Sequence, residues 1–150
     1  MLKFVCKSFT QLTLEELHDL FALRSEVFVV EQDCVYQDVD GKDPRGMHIL
    51  GMESENKLVA YARVLPKGES FSSCVAIGRL VVSKASRGKN YGHDLVRKSI
   101  QEAIKLDGTS LIKISAQAHL TKFYNTHGFT TKGEEYLEDG IPHIAMILKP

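Results

Sequence analysis

The sequence predicts a mixed α/β domain in which helices pack on a single β-sheet. Residues 75–104 contain an apolar, β-branched run, a glycine-containing turn and then apolar residues at helical spacing. A capping-box pattern, Thr13-Leu14-Glu15-Glu16, opens a second amphipathic segment that runs to about residue 30. Short apolar runs separated by polar turns fill the remainder. This order indicates a mixed layer rather than a regular doubly wound repeat.

The elements follow in a simple order. We predict strands over residues 1–7, 48–53, 58–65, 74–82, 111–116, 129–132 and 141–148. We predict helices over residues 14–30, 90–106 and 121–127. Two acidic connections lie between these elements, at residues 31–47 and 134–140. The first is long enough to be functional or mobile in a domain of this size.

The length and composition favour one domain, residues 1–150. A chain of 150 residues can bury about 70% of its unfolded surface, and its content of 43% hydrophobic and 25% charged residues is ordinary. No apolar run approaches the roughly 20 residues of a membrane span. The first residues lack the apolar length and cleavage site of a signal peptide. We therefore expect a cytoplasmic protein without a membrane partner.

Charge and cysteine content narrow the function classes further. The 19 basic and 19 acidic residues cancel, so no global field favours nucleic acid as a partner. Three widely spaced cysteines, Cys6, Cys34 and Cys74, are expected to be free thiols. Asp38 and Asp40 are similar to the start of a calcium loop, but the terminal glutamate is missing, so we expect no metal.

The turn Arg87-Gly88-Lys89-Asn90-Tyr91-Gly92 is suited to binding an anion. Its glycines lack Cβ atoms and Asn90 tolerates a positive φ, so successive N–H groups can surround a phosphate. The following helix directs its positive end to the same place, and Arg87 and Lys89 add two cations. The spacing matches neither a P-loop nor a dinucleotide fingerprint. An ordinary strand-to-helix connection remains the alternative.

The same turn resembles the acetyl-CoA pyrophosphate loop of the GNAT N-acetyltransferases, with Asn90 at the position of the first glycine. The stretch Phe123-Tyr124-Asn125-Thr126-His127-Gly128-Phe129 resembles a later signature of that family. Further stretches resemble the ElaA-like subgroup: Phe28-Val29-Val30-Glu31-Gln32, Tyr36-Gln37-Asp38, Ala116-Gln117-Ala118-His119 and Asp139-Gly140-Ile141-Pro142-His143. The resemblance implies a fold whose central strands, 74–82 and 111–116, splay apart and pair with the pantetheine arm of the cofactor.

The resemblance also implies a set of site residues. Tyr124 corresponds to the family's tyrosine acid, which protonates the departing thiolate. Gln117 occupies the position where the family usually has an asparagine that bonds the pantetheine arm. The backbone N–H of Val81 or Val82 is the expected oxyanion donor. The implied acetyl-CoA contacts are Leu80, Val81, Val82, Arg87, Gly88, Lys89, Asn90, Tyr91, Gly92, Gln117 and Tyr124.

The general base is less well defined, because the central strand carries only Arg79 as a charged residue. Glu31 and His119 are the leading candidates, ahead of His48 and His143. Three further histidines are interpreted as helix-surface residues: His18, His93 and His127. Three arginines either orient an acidic acceptor or pair with Glu31, Asp38 or Asp40: Arg24, Arg63 and Arg79.

These observations predict an acetyl-CoA-dependent N-acetyltransferase that acetylates a primary amine by direct transfer in a ternary complex. The acceptor is a small molecule or a peptide, and a homodimer is compatible with the sequence. Two other classes stay open. One is a non-catalytic acyl-CoA-binding module or sensor, and the other is a metal-dependent hydrolase.

Overall fold

A computed structural model describes residues 1–150, and it contains one seven-stranded sheet in the order β1-β2-β3-β4-β5-β7-β6. The strands are β1 (Lys3–Ser8), β2 (Met47–Ser54), β3 (Lys57–Leu65), β4 (Cys74–Val82), β5 (Leu111–Gln117), β6 (Thr130–Glu138) and β7 (Ile141–Leu148). The helices are α1 (Leu14–Arg24), α2 (Tyr91–Leu106) and α3 (Thr121–Asn125). Neighbouring strands are antiparallel except β4 and β5, which are parallel. The predicted mixed α/β class is confirmed.

The first helix begins where its capping box predicts. Glu16 N donates to Thr13 Oγ1 at 3.0 Å, and Thr13 N donates to Glu16 Oε1 at 2.8 Å. The predicted extent to residue 30 needs one correction, because the backbone changes to a π-helix over Ser25–Glu31. Such wide turns are rare and often lie at functional sites.

The predicted connection at 134–140 is wrong, because β6 continues to Glu138 and turns through Asp139 and Gly140, which both have positive φ. Every residue of β6 is exposed, and the strand forms one edge of the sheet. Its acidic side chains therefore need no burial, and charges on an edge strand discourage pairing with other chains. A register shift near Gly133, whose φ is 80°, interrupts the pairing with β7.

Helices cover the two faces of the sheet unequally. Consecutive side chains of a strand point to opposite faces, and Ile49 belongs to the core under α2 whereas Leu50 belongs to the core under α1. The smaller core joins Leu20 and Leu23 of α1 to Tyr61 of β3. On that face, α1 packs mainly on β3 and β4.

The central strands separate as the resemblance implies. β4 and β5 pair only through Cys74–Leu111, Val75–Ile112 and Ala76–Lys113, and their later residues diverge. β4 also bulges against β3, since Ala62 alone faces both Arg79 and Leu80. Arg79 takes a φ of 51° there. The predicted splay is confirmed.

Two remaining observations concern single elements. The three cysteines are free thiols, as expected. No helix has both the length and the apolar character needed to cross a membrane.

Candidate active site

A cleft of about 720 Å³ opens where β4 and β5 diverge. Every residue from Ala76 to Val82 of β4 lines it, together with Ile114, Ser115 and Gln117 of β5. Its volume lies within the range of sites that bind small molecules and cofactors. The cleft therefore has the position and size that a cofactor between these strands requires.

Backbone alternation determines which N–H groups of β4 face the cleft. Ser83 N donates to Val59 O on β3 at 2.8 Å, so the preceding residue must direct its N–H and C=O away from β3. Val82 O accepts instead from Arg87 Nε at 3.2 Å, which fits this direction. By the same alternation Leu80 also points its N–H toward β5, whereas Val81 points its N–H toward β3.

The turn before α2 has the backbone geometry that the sequence predicts. Asn90 adopts a left-handed conformation with φ 63° and ψ 18°, and it is the residue from which α2 starts. The expectation of a positive φ at Asn90 is confirmed. Gly88 is also left-handed, with φ 86°, and a Cβ there would meet no atom within 4 Å. Tyr91 packs in the main core, so only its backbone is available to a ligand in the turn.

Both cations of this turn are paired with carboxylates from distant parts of the chain. Arg87 donates to both carboxylate oxygens of Glu31, at 2.6 and 3.1 Å. Lys89 Nζ lies 3.0 Å from Glu53 Oε2. These pairs are well exposed, so an anion of higher charge can compete for the same cations. The sequence did not indicate Glu53, because its partner is 36 residues away.

Tyr124 lies on α3 with its side chain in the wall of the cleft. Its ring packs edge-on against Phe123 and Phe129, with centroid separations of 5.1 and 6.1 Å. Burial raises the pKa of Tyr124 to about 12, and no charge or hydrogen bond offsets that effect. The phenol is therefore protonated at neutral pH and available to donate a hydrogen bond.

The other candidate bases and cofactor contacts differ in whether they line the cleft. Gln117 and His119 both line the cleft, and the Gln117 amide approaches Gln32 Oε1 at 3.5 Å. Glu31 also lines it, but the Arg87 guanidinium lowers the pKa of that carboxyl, which weakens it as a base. His48 is fully buried elsewhere, bonded to the Tyr61 hydroxyl at 2.6 Å, and has a structural position.

His93 and His127, interpreted as helix-surface residues, are half-buried and contact each other. Nδ1 of His93 lies 2.8 Å from Nε2 of His127, and both rings pack against Phe123. This pair joins α2 to the end of α3. His18 is exposed, as expected.

A network of arginines and aspartates fixes the segment after the π-helix to the sheet. Asp43 Oδ1 accepts from Arg24 Nη1 at 2.7 Å and from Arg63 Nη1 at 2.9 Å. The other contacts join these two arginines and Arg79 to two more aspartates: Arg24–Asp38, Arg63–Asp40, Arg79–Asp38 and Arg79–Asp40. The predicted pairing with Asp38 and Asp40 is thus confirmed, whereas Glu31 pairs with Arg87 instead.

Comparisons with known proteins agree with this geometry. A family model described as an acetyltransferase (GNAT) domain matches residues 11–150. The chain is 44% identical to Protein ElaA of Escherichia coli over 139 residues, which are 91% of this chain and 90% of that protein. A crystal structure of E. coli ElaA aligns with a TM-score of 0.91, at 40% identity and 99% coverage of both chains. An acyl-CoA N-acyltransferase from Pseudomonas aeruginosa aligns with a TM-score of 0.93, at 43% identity and 99% coverage of both chains.

One more distant structure has the same fold with a ligand present. It is a GNAT family acetyltransferase from Elizabethkingia anophelis with acetyl-CoA bound, at a TM-score of 0.65 and 13% identity, covering 99% of this chain and 98% of that one.

The chain belongs to the GNAT acetyltransferase family, within its ElaA-like subgroup. It is accordingly an N-acetyltransferase, an enzyme that transfers an acyl group to an acceptor substrate.

Proposed function

We propose that the enzyme uses acetyl-CoA to acetylate a primary amine by direct transfer in a ternary complex. The observation that carries this proposal is the divergence of β4 and β5 into a cleft whose wall includes the protonated phenol of Tyr124. A small-molecule or peptide amine as acceptor and a cytoplasmic location complete the proposal.

The residues of the cleft and the turn fit acetyl-CoA at both ends. The N–H groups of Leu80 and Val82 face the cleft, and that of Leu80 would bond the pantetheine arm as an added strand does. The left-handed turn at Gly88 and Asn90 leaves backbone N–H groups at the start of α2 for the pyrophosphate. Arg87 and Lys89 would exchange Glu31 and Glu53 for phosphate oxygens. Gln117 would offer its side-chain amide to the arm.

The chemistry assigns each residue a separate task. The amine attacks the thioester carbonyl, and the N–H of Val82 stabilises the oxygen that becomes negative. This choice differs from Val81, whose N–H points toward β3. Tyr124 donates its proton to the sulfur as the carbon–sulfur bond breaks. Glu31 is the weaker of the two leading bases, because the Arg87 guanidinium lowers its pKa. The histidines that line the cleft, His119 and His143, remain as candidate bases.

The test is thiol release from acetyl-CoA with a panel of primary amines, combined with calorimetry of cofactor binding. Gly92→Ala tests whether the cofactor approaches the backbone of the turn closely. A Cβ at Gly92 would meet only Phe123, at 3.5 Å, which is an ordinary contact. The variant should fold, and weaker binding would then report on the ligand's close approach to the backbone. Cofactor binding without transfer to any amine would favour the non-catalytic module.

A further inference from the structure

One face of β5, β7 and β6 forms a polar wall of the cleft. Across this part of the sheet His143 of β7 stands opposite Gln117 of β5 and Tyr136 of β6, so the three side chains share a face. Ser115 lies two residues before Gln117, and Glu138 lies two residues after Tyr136, so both belong to the same face. All five of these residues line the cleft. Gln32 and Cys34 contact the wall at Gln117 and at the carbonyl of Asp139, and all four of these residues line the same cleft.

The wall contains a connected set of hydrogen-bonding groups. Ser115 Oγ is bonded to the Tyr136 hydroxyl and donates to Glu138 Oε1 at 3.1 Å. The second carboxylate oxygen, Glu138 Oε2, lies 3.4 Å from Nε2 of His143. The His143 ring stacks on Tyr136 with a centroid separation of 6.3 Å. The His143 side chain is only 9% exposed, whereas that of Glu138 is 48% exposed.

The backbone fixes the tautomer of His143. Nδ1 lies 2.7 Å from the carbonyl oxygen of Ile141, which can only accept, so Nδ1 carries the hydrogen. In the neutral ring Nε2 then carries a lone pair, and the neighbouring Glu138 carboxylate has no hydrogen to donate to it. Nε2 can therefore accept a proton from a donor in the cleft, and the Glu138 carboxylate lies beside it. His119, in contrast, is exposed on a short turn.

We propose that Glu138 and His143 form the binding and deprotonation site for an acceptor that arrives as a primary ammonium ion. This assignment rests on the proposed function, because it supplies the acceptor half of the same reaction. The Glu138 side chain, which is 48% exposed, holds the ammonium through its carboxylate, and Nε2 of His143 is the general base. The acceptor is therefore cationic at its reacting end, and no acceptor carboxylate is required by Arg63 or Arg79, which already have aspartate partners.

The protons balance in two steps. Nε2 of His143 takes one proton from the ammonium and leaves a neutral amine, and the imidazolium later releases that proton to solvent. The amine then forms the carbon–nitrogen bond as the carbon–sulfur bond breaks. Tyr124 protonates the sulfur, and the phenolate recovers a proton from the nitrogen of the new amide. The net products are an amide, a free thiol and one proton.

The variant that separates these roles is His143→Asn. The asparagine amide nitrogen can replace Nδ1 as donor to Ile141, while the group at Nε2 is lost. With the amine that reacts fastest among putrescine, glycinamide and Nα-acetyllysine, kcat at pH 7 should fall roughly 10²-fold. The KM for acetyl-CoA should stay the same. The deficit should shrink as the pH approaches the pKa of that amine, about 8 for the α-amine of glycinamide and about 10 for the other two, because the amine then loses its proton to solvent. A purely structural role would give a deficit that does not depend on pH.

Other titratable groups near His143 contribute to this pH profile. Glu138 and Tyr136 face His143 from β6, and Asp139, Cys34 and His119 line the same cleft. His119→Asn is therefore measured in parallel, and a pH-dependent deficit in that variant instead of in His143→Asn would place the base on His119 and overturn the assignment.

Glu138→Gln tests the ammonium site without relying on the folding of the buried histidine variant. It keeps an acceptor for Ser115 and removes only the charge, so the KM for the amine should rise about tenfold. Glu135→Gln, an exposed change on the same strand but outside the cleft, should leave that KM unchanged. This control removes one negative charge equally, so it separates local contact from the general field.

The outcomes are distinct. The predicted falls in His143→Asn and Glu138→Gln, with unchanged controls, support the assignment. A His143→Asn enzyme with full rate and the wild-type pH profile overturns it while leaving the acetyltransferase proposal intact. A wild-type protein that binds acetyl-CoA but acetylates none of the three amines overturns both.

Discussion

Replacing Tyr124 by Phe should separate catalysis from stability, because it removes one hydroxyl from a side chain that lines the cleft. Burial raises the pKa of Tyr124 to about 12, so the hydroxyl keeps its proton at neutral pH. The ring contacts with Phe123 and Phe129 remain in Tyr124→Phe, so its stability should be close to that of wild type.

Turnover, in contrast to stability, should fall in Tyr124→Phe. A positioned acid typically contributes at least about 10²-fold, which corresponds to about 2.7 kcal/mol of barrier. The assay compares kcat, the dissociation constant of acetyl-CoA and the melting temperature for both proteins. We expect a lower kcat with an unchanged dissociation constant and a similar melting temperature. An unchanged kcat would refute the role as acid, and a parallel loss of affinity and rate would make Tyr124 a wall of the cofactor site.

Three further variants test other parts of the account. Asp43→Asn leaves the buried guanidinium of Arg24 undercompensated and should lower the free energy of urea unfolding by about 3–5 kcal/mol. The pKa of Asp43 is lowered mainly by the Arg24 bond against the effect of burial, so its contribution is present above pH 4 and should be lost as the pH falls further, which acid titration of wild type measures. Glu31→Gln frees Arg87 and should tighten CoA binding a few-fold by calorimetry; weaker binding would contradict a competing pair. Asn90→Ala should lower the free energy of unfolding by about 1 kcal/mol, because residue 90 has a φ of 63°, whereas Asn90→Gly should not lower it. Equal melting temperatures of the alanine and glycine variants would contradict this.

The sequence predicted the elements whose signals are local. The capping box at Thr13, the left-handed Asn90 and the apolar core strands all depend on residues within a few positions of one another. The splay of the central strands came from the family resemblance rather than from periodicity. Acidity misled the prediction at β6, because charged residues mark a solvent-facing edge strand as readily as a loop.

The contacts of the site could not be predicted in the same way, because they join residues far apart in sequence. Glu31 meets Arg87 across 56 positions, so its role as a free base could not be judged from its neighbours. The approach of Glu138 to His143 depends on the register of β6 against β7, which a bulge shifts. Strand alternation was present in the sequence, but the direction of each N–H followed only from one observed bond, Ser83 to Val59.

The central claim is that acetyl-CoA lies in the splay between β4 and β5, and residue-resolved amide hydrogen exchange tests it most directly. Addition of acetyl-CoA should slow exchange at Leu80 and Val82, whose N–H groups face the cleft. The amide of Val81 points toward β3 and should change little, which makes it an internal control. Protection that appears elsewhere while Leu80 and Val82 exchange as before would contradict the account.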